Sequence, residues 1–365
     1  MKILPLYIFL STSLFLLAAC EGENNTDAPN FDRTTFLQNY ANNIIRPSSN
    51  NFREAAEQLQ QAINTFTSEQ NASNLKAAQD AWDRTYKNWM RVNTFNFGPG
   101  GTAGLRRTLA EEVGVWPVDV EEVEAKIARE HPDFEDSRRN TRGLLAVEYL
   151  LFGEGTDEEV LNNFDAARAE YLQKTADKLL AQITDFDTAW QGDFAAEFIA
   201  NDGTSVKSST TLMYNEFTRS FESIKDLKLG IPLGVIAGQT EAQPEQAEAR
   251  FSENSLDYLL LHYEAIVDLW YGRTAEGADG VGWQEYVLSA EGGKDLVEAT
   301  LAQFDKVQSI IDRLPVNQSL QELAVQGNPT AAELQNELQN LTRFLKSDLS
   351  SLLSLAITFS SMDGD

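Results

Sequence analysis

The stretch AWDRTYKNWMRVNTFNFGP, residues 81–99, spaces Trp82, Tyr86, Trp89 and Asn93 at intervals of three and four. In an α-helix that interval stacks side chains on a single face, whereas a strand would divide them between two. An aromatic stripe of this kind predicts a helix that buries its rings in a core, and Gly98-Pro99 marks where it must stop. The same 3.6-residue period recurs along almost the whole chain, while strand-like alternation between tight turns is scarce. The expected fold is all-α, with helices at about 31–45, 50–68, 71–95, 118–130, 137–152, 158–190, 204–228, 250–271, 283–313 and 330–358. Between them lie GPGGTAG, EGTDE, GIPLG and EGADGVG, whose glycines and prolines end helices.

A chain of 365 residues is longer than one hydrophobic core usually fills. Two helical-bundle domains packed together are therefore expected, residues 31–195 and 196–362, with up-and-down connections as the simplest topology. Acidic residues outnumber basic ones 56 to 29, a formal charge of −27. Such a charge repels phosphate backbones, so nucleic acid is excluded as a partner, and it reads as a solvated acidic surface rather than a cation store. At the N-terminus, MKILPLYIFLSTSLFLLAAC sets Lys2 before an apolar run that ends in Leu17-Ala18-Ala19-Cys20. Residues 1–19 read as a lipoprotein signal peptide cut before a lipidated Cys20. Cys20 is the only cysteine, which leaves no internal disulfide or thiolate metal site. An apolar run of about 15 residues is too short to span a bilayer, for which about 20 are needed; acyl chains on Cys20 would hold the protein on a membrane instead. Residues 20–30 then form a polar tether. The expected location is the bacterial cell envelope, lipid-anchored at the outer membrane on its periplasmic or surface face, with other envelope proteins as candidate partners.

A second stretch, RGLLAVEYLLFG at 142–153, sets Glu148 alone in an apolar run. A buried carboxylate costs several kcal/mol unless it is paired, hydrogen-bonded, metal-bound or protonated. Leu145, Glu148 and Phe152 share a helical face. Glu148 is expected to accept hydrogen bonds from arginine, asparagine, tryptophan or a helix N-terminus at the domain junction, with Arg142, Arg250 and Asn93 as the first candidates, because a guanidinium can satisfy both carboxylate oxygens at once. Of the two histidines, His131 precedes Pro132 and reads as a solvated cap, and His262 as a hydrogen-bonded core residue. The His-Glu-x-x-His pattern of zinc peptidases is absent, and two histidines so placed build no Ser-His-Asp triad. The segment FGPGGTAGLRRT, residues 97–108, joins four glycines to Arg106 and Arg107. It could hold an anion, although an interhelical loop is the simpler reading.

Four stretches together resemble the imelysin family of bacterial envelope proteins: AWDRTYKNWMRVNTFNFGP (81–99), VWPVDVEEVEAKI (115–127), RGLLAVEYLLFG (142–153) and ARFSENSLDYLLLHYEAIVDLWYG (249–272), with LGIPLG (229–234) as a weaker fifth. The resemblance implies an all-helical fold of two bundle-like domains and a site between them built on a Gly-x-His-x-x-Glu motif. It also implies a link to iron uptake or regulation, and some members have been called metallopeptidases. Here the motif reads Gly143-Leu144-Leu145-Ala146-Val147-Glu148, with leucine in the histidine position. Asn93 stands where the family usually has glutamate. Leu256 stands where many members have histidine, after the Arg-Phe-Ser-x-Asn-Ser run that begins at Arg250 and contains Ser252. Leucine in place of imidazole removes the donors a first-row metal prefers. The site residues expected by this resemblance are Trp82, Asn93, Gly143, Leu145, Glu148, Arg250 and Ser252, with no catalytic residue and no metal ligand. The expected function is a non-catalytic binding or assembly component in iron or haem uptake, without a cofactor and with its small ligand unspecified. The alternatives are a metal-dependent peptidase, and a divalent-cation or iron binder holding iron or zinc.

Overall fold

Helix Ala72–Val92 is started by the Asn71 side chain, which accepts from the Asn74 amide at 2.9 Å. It buries Trp82, Tyr86, Trp89 and Met90, so the aromatic stripe faces a core as its spacing requires. The helix packs on Arg46–Ser68, which packs in turn on the 26-residue helix Ala166–Gln191. Leu144–Phe152 lies against both Ala72–Val92 and Ala166–Gln191. Its residues from Leu144 to Leu151 are all buried, which is why that segment shows no amphipathic period. These elements belong to a computed structural model that describes residues 31–102, 108–129, 134 and 138–359; within them every regular element is helical. The signal peptide, the tether, Cys20, Arg106, Arg107 and His131 lie outside the described residues.

Several helix boundaries differ from the sequence expectation, each for a local reason. No gap opens between 45 and 50. Arg33–Gln38, a π-helical turn Asn39–Ile45 and Arg46–Ser68 run on continuously, because Pro47 falls in the first turn of the last of these, where its missing N–H is tolerated. The expected helix at 158–190 divides into Asp157–Asn162 and Ala166–Gln191, where Asp165 caps the second by accepting from the Arg168 amide at 2.8 Å. The one at 283–313 divides at Gly292, whose φ of +81° interrupts the helical path. The segments expected at 204–228 and 330–358 each pass into a π-helical turn, Ser223–Gly230 and Arg343–Asp348, after which a short α-helical stretch follows, Ile231–Leu233 and Leu349–Leu353. Three short helices escaped the periodicity: Leu109–Val113, Phe194–Ala200 and Leu320–Val325. At five to seven residues, each is too short to display a face.

The first helical segment lies against the C-terminal half of the chain. Asn39 Nδ2 donates to the carbonyls of Gly272 and Val281 at 2.8 and 3.0 Å, the Tyr40 hydroxyl donates to the Leu269 carbonyl, and the Phe36 ring meets Trp283 edge-on. Buried apolar side chains form one cluster that extends from Phe36 to Leu355. Within it, helix Ser255–Tyr271 packs on Ala72–Val92 and on the π-helical segment Ser223–Gly230. That meeting of three elements, with Leu144–Phe152 alongside, positions the site.

Candidate functional site

Gly143 begins the Glu148 helix at φ +81°, and a Cβ there would come within 2.6 Å of the Val113 carbonyl oxygen, so only glycine fits. Trp82 Nε1 donates to the Leu144 carbonyl at 2.8 Å, and its ring stacks on Tyr86 with centroids 4.8 Å apart. These two contacts fix the start of the helix and thereby the reach of Glu148. Opposite stands the irregular run Ala249–Asn254, where Ala249 and Glu253 take positive φ and the Ser252 hydroxyl donates to the Ala249 carbonyl at 3.1 Å. This tight run aims the Ser252 amide at Glu148 Oε1, 2.8 Å away. Oε2 has no hydrogen-bond partner among the described residues, and the side chain is fully buried. Burial pushes the carboxyl up to about 8, further raised by the nearby Glu248 and opposed by Ser252's hydrogen bonds. Glu148 is therefore mainly a neutral carboxylic acid at pH 7.

The donors expected for Glu148 are corrected by this arrangement. Arg142 pairs with Glu112 at 3.5 Å, and Arg250 pairs with Glu154 at 2.7 Å while covering the Phe251 ring. Asn93 lies at the C-terminal cap of its own helix. A protonated acid needs no guanidinium, and the Ser252 amide, held in a tight turn, donates to it. Leu145 is buried, as expected of a side chain that adds apolar contact.

Sequence reasoning missed a buried ion pair beside Glu148. Lys228 Nζ, on a side chain 1% exposed, lies 2.6 Å from Glu248 Oε2. Met90 Sδ is 3.6 Å from the ammonium and the Trp116 ring centroid 5.7 Å from it. Burial holds the Lys228 ammonium below the usual lysine range, opposed by Glu248. The Tyr86 hydroxyl is raised well above its ordinary value by burial and by the charges of Glu248 and Glu148, which places it in the same cluster. His262 is also wholly buried, with Nε2 2.7 Å from Ser220 Oγ, and that oxygen is 3.2 Å from Thr94 Oγ1. Burial and the Lys228 charge hold the imidazole well below its usual range. The one sequence signal for the pair was the succession Lys225, Lys228 in SIKDLKLG just before an apolar LGIPLG. Without the π-helical turn that carries them, those lysines read as a solvated face.

These donors do not fit a metal centre. Leu145 is apolar, His262 is committed to Ser220, and Glu248 is already paired with the Lys228 ammonium. Among the described residues no group of three or more His, Cys, Asp or Glu side chains is arranged to hold a metal ion.

Next to the cluster opens a cavity of about 600 Å³, and its wall includes Asn93, Trp116 and Ser220. Ser220 thus touches the cavity on one side and His262 on the other. Of the expected site residues, Trp82, Gly143, Leu145, Glu148 and Ser252 gather round the buried acid, Arg250 turns outward to Glu154, and Asn93 alone faces the cavity.

The family model described as Imelysin matches residues 45–345. Iron-regulated protein A of Synechococcus elongatus is 25% identical over 245 residues, which are 66% of this chain and 65% of that protein. The chain thus spans just under two thirds of that relative's length. Among solved structures, a protein described as an iron-regulated protein A precursor from Parabacteroides distasonis has a TM-score of 0.73 at 18% identity, covering 88% of this chain and 95% of that one. An imelysin-like protein from Psychrobacter arcticum has a TM-score of 0.70 at 17% identity, covering 91% and 99%. At such identities the likeness speaks for the fold.

Proposed function

Because this chain belongs to the imelysin family, we propose that it is a non-catalytic binding component of the bacterial cell envelope, active in iron supply and built on a motif that has lost its metal chemistry. The observation that carries this reading is the surroundings of Glu148: it is wholly buried, accepts the Ser252 backbone amide, and has the apolar Leu145 one helical turn before it. The iron link is supported by the name of the Synechococcus relative, which speaks of regulation by iron and not of iron as a ligand. Metal analysis of wild-type protein purified without chelator is expected to find no stoichiometric iron or zinc, and peptide substrates should remain intact. Stoichiometric metal that is lost in Glu148→Gln would overturn the reading in favour of a metallopeptidase or an iron binder.

Anchoring is part of the same proposal. With Cys20 diacylated, the protein would partition into the detergent phase and incorporate labelled palmitate, and Cys20→Ala should move it to the aqueous phase. Among the described residues no helix is long and apolar enough to cross a membrane, so the acyl chains are the proposed hold. A wild-type protein that is unlabelled and aqueous would end the idea.

A further inference from the structure

The cavity of about 600 Å³ lies within the range of small-molecule sites, and the chemistry of its wall narrows what could fill it. The charged groups of its described wall are already engaged: Glu216 pairs with Arg219 within one helical turn, and Glu111 accepts from the Thr108 amide and hydroxyl at 3.1 and 3.2 Å. An anion would have to take Arg219 from Glu216, and a cation would have to take either carboxylate from its partner. The described wall also holds no His, Cys, Met or Tyr, so haem iron would find no axial ligand there.

What the described wall leaves free is of one kind. The carboxamides of Asn93 and Gln246 and the hydroxyls of Thr102 and Ser223 line the cavity, and their side chains make no hydrogen bond with other described residues. Each of these groups both donates and accepts. Beside them Trp116 presents an indole whose ring has Lys228, which is absent from the cavity wall, 5.7 Å from its centroid. Leu227 and Ile231 extend the apolar side. An uncharged ligand whose own groups also donate and accept, and which has a flat apolar C–H face to lay on an indole, complements this wall.

We propose that the cavity binds a neutral sugar of one or two rings, with Trp116 as its stacking platform and Asn93, Gln246, Thr102 and Ser223 as partners for its hydroxyls. This rests on the reading of the protein as a binding component and names the class of its ligand. Iron supply does not conflict with it, since the name of the Synechococcus relative concerns regulation by iron.

The test titrates the full mature chain with glucose, galactose, mannose, N-acetylglucosamine, maltose and cellobiose at millimolar concentration, by calorimetry and intrinsic tryptophan fluorescence. Haem, ferric citrate, inorganic phosphate and a neutral dipeptide form parallel arms. At least one sugar is expected to bind and to be weakened about tenfold or more by Trp116→Ala, and roughly fivefold by Gln246→Ala or Asn93→Ala. Trp116→Phe keeps an aromatic face over Lys228 and should recover most of the affinity, which separates loss of stacking from loss of fold. Failure of every sugar to bind, or binding that Trp116→Ala leaves unchanged, overturns the assignment. So does a charged ligand or the dipeptide that binds in a Trp116-dependent way while no sugar does, although the reading as a binding protein would then stand. That reading fails separately, through the metal content of the wild type, so the two failures are distinguishable.

Discussion

Lys228→Met is expected to destabilise the protein by about 3–5 kcal/mol, the cost of leaving one member of a buried ion pair without its partner. Methionine keeps the length of the stem and its packing against Met90 and Trp116, so the change isolates the ammonium. What remains is Glu248, itself buried, whose Oε2 loses the cation 2.6 Å away. Its Oε1 has no hydrogen bond to take up the difference. For a chain of this size the loss corresponds to roughly 2 °C in Tm per kcal/mol, or about 6–10 °C. The double variant Lys228→Met/Glu248→Leu removes both charges together and should recover most of the loss, since replacing a buried pair by apolar groups is often neutral. Urea denaturation of the wild type, the two single variants and the double variant completes the cycle. A single-variant loss below about 1 kcal/mol would place the pair with exposed salt bridges and remove Lys228 from the account of the site.

Much of this site was legible in the chain, and what was not has a common cause. The three- and four-residue spacing of Trp82, Tyr86 and Trp89 was enough to place a helix and its buried face, because helix period and burial are local properties. The isolation of Glu148 in an apolar run was enough to mark it as costly. The donor to Glu148 was out of reach. It is a main-chain amide, which every residue but proline has, held in place by positive φ at Ala249 and Glu253, neither of which is a glycine that would advertise such a turn. The Lys228–Glu248 pair was hidden in the same way. It spans twenty positions between a π-helical turn and an irregular segment, and π-helical turns at Ser223–Gly230 and Arg343–Asp348 have no compositional signature. Pairing that depends on tertiary placement leaves no period to count. The cavity wall shows the same limit: of its partners for a ligand only Asn93 had been singled out, and that for its place in a family pattern rather than for facing a cavity.

Glu148→Gln is expected to change stability in a direction that depends on pH. In the folded protein the Glu148 carboxyl is pushed up to about 8, against an ordinary value of 4.5. Between those values the native state keeps a proton that the unfolded chain releases, so stability falls as pH rises. The contribution is fully present below about pH 4.5 and is lost progressively until about pH 8, at a slope approaching 1.4 kcal/mol per pH unit and a total on the order of 5 kcal/mol. Glutamine cannot titrate, yet its Oε1 can still accept the Ser252 amide. The variant should therefore match the wild type within about 1 kcal/mol near pH 5 and exceed it by several kcal/mol near pH 9. All other titrating groups are common to both proteins, so the difference between their urea-denaturation curves isolates this residue. Glu148→Leu, which leaves the Ser252 amide without its acceptor, should cost about 1–3 kcal/mol near pH 5, where the wild-type acid is neutral. A glutamate that ligates a metal would behave in the opposite way. Its ionised form would be the stabilised one, Glu148→Gln would lose stability as pH rises, and chelator would reproduce the loss in the wild type. The sign of the difference near pH 9 therefore separates a buried neutral acid from a working ligand.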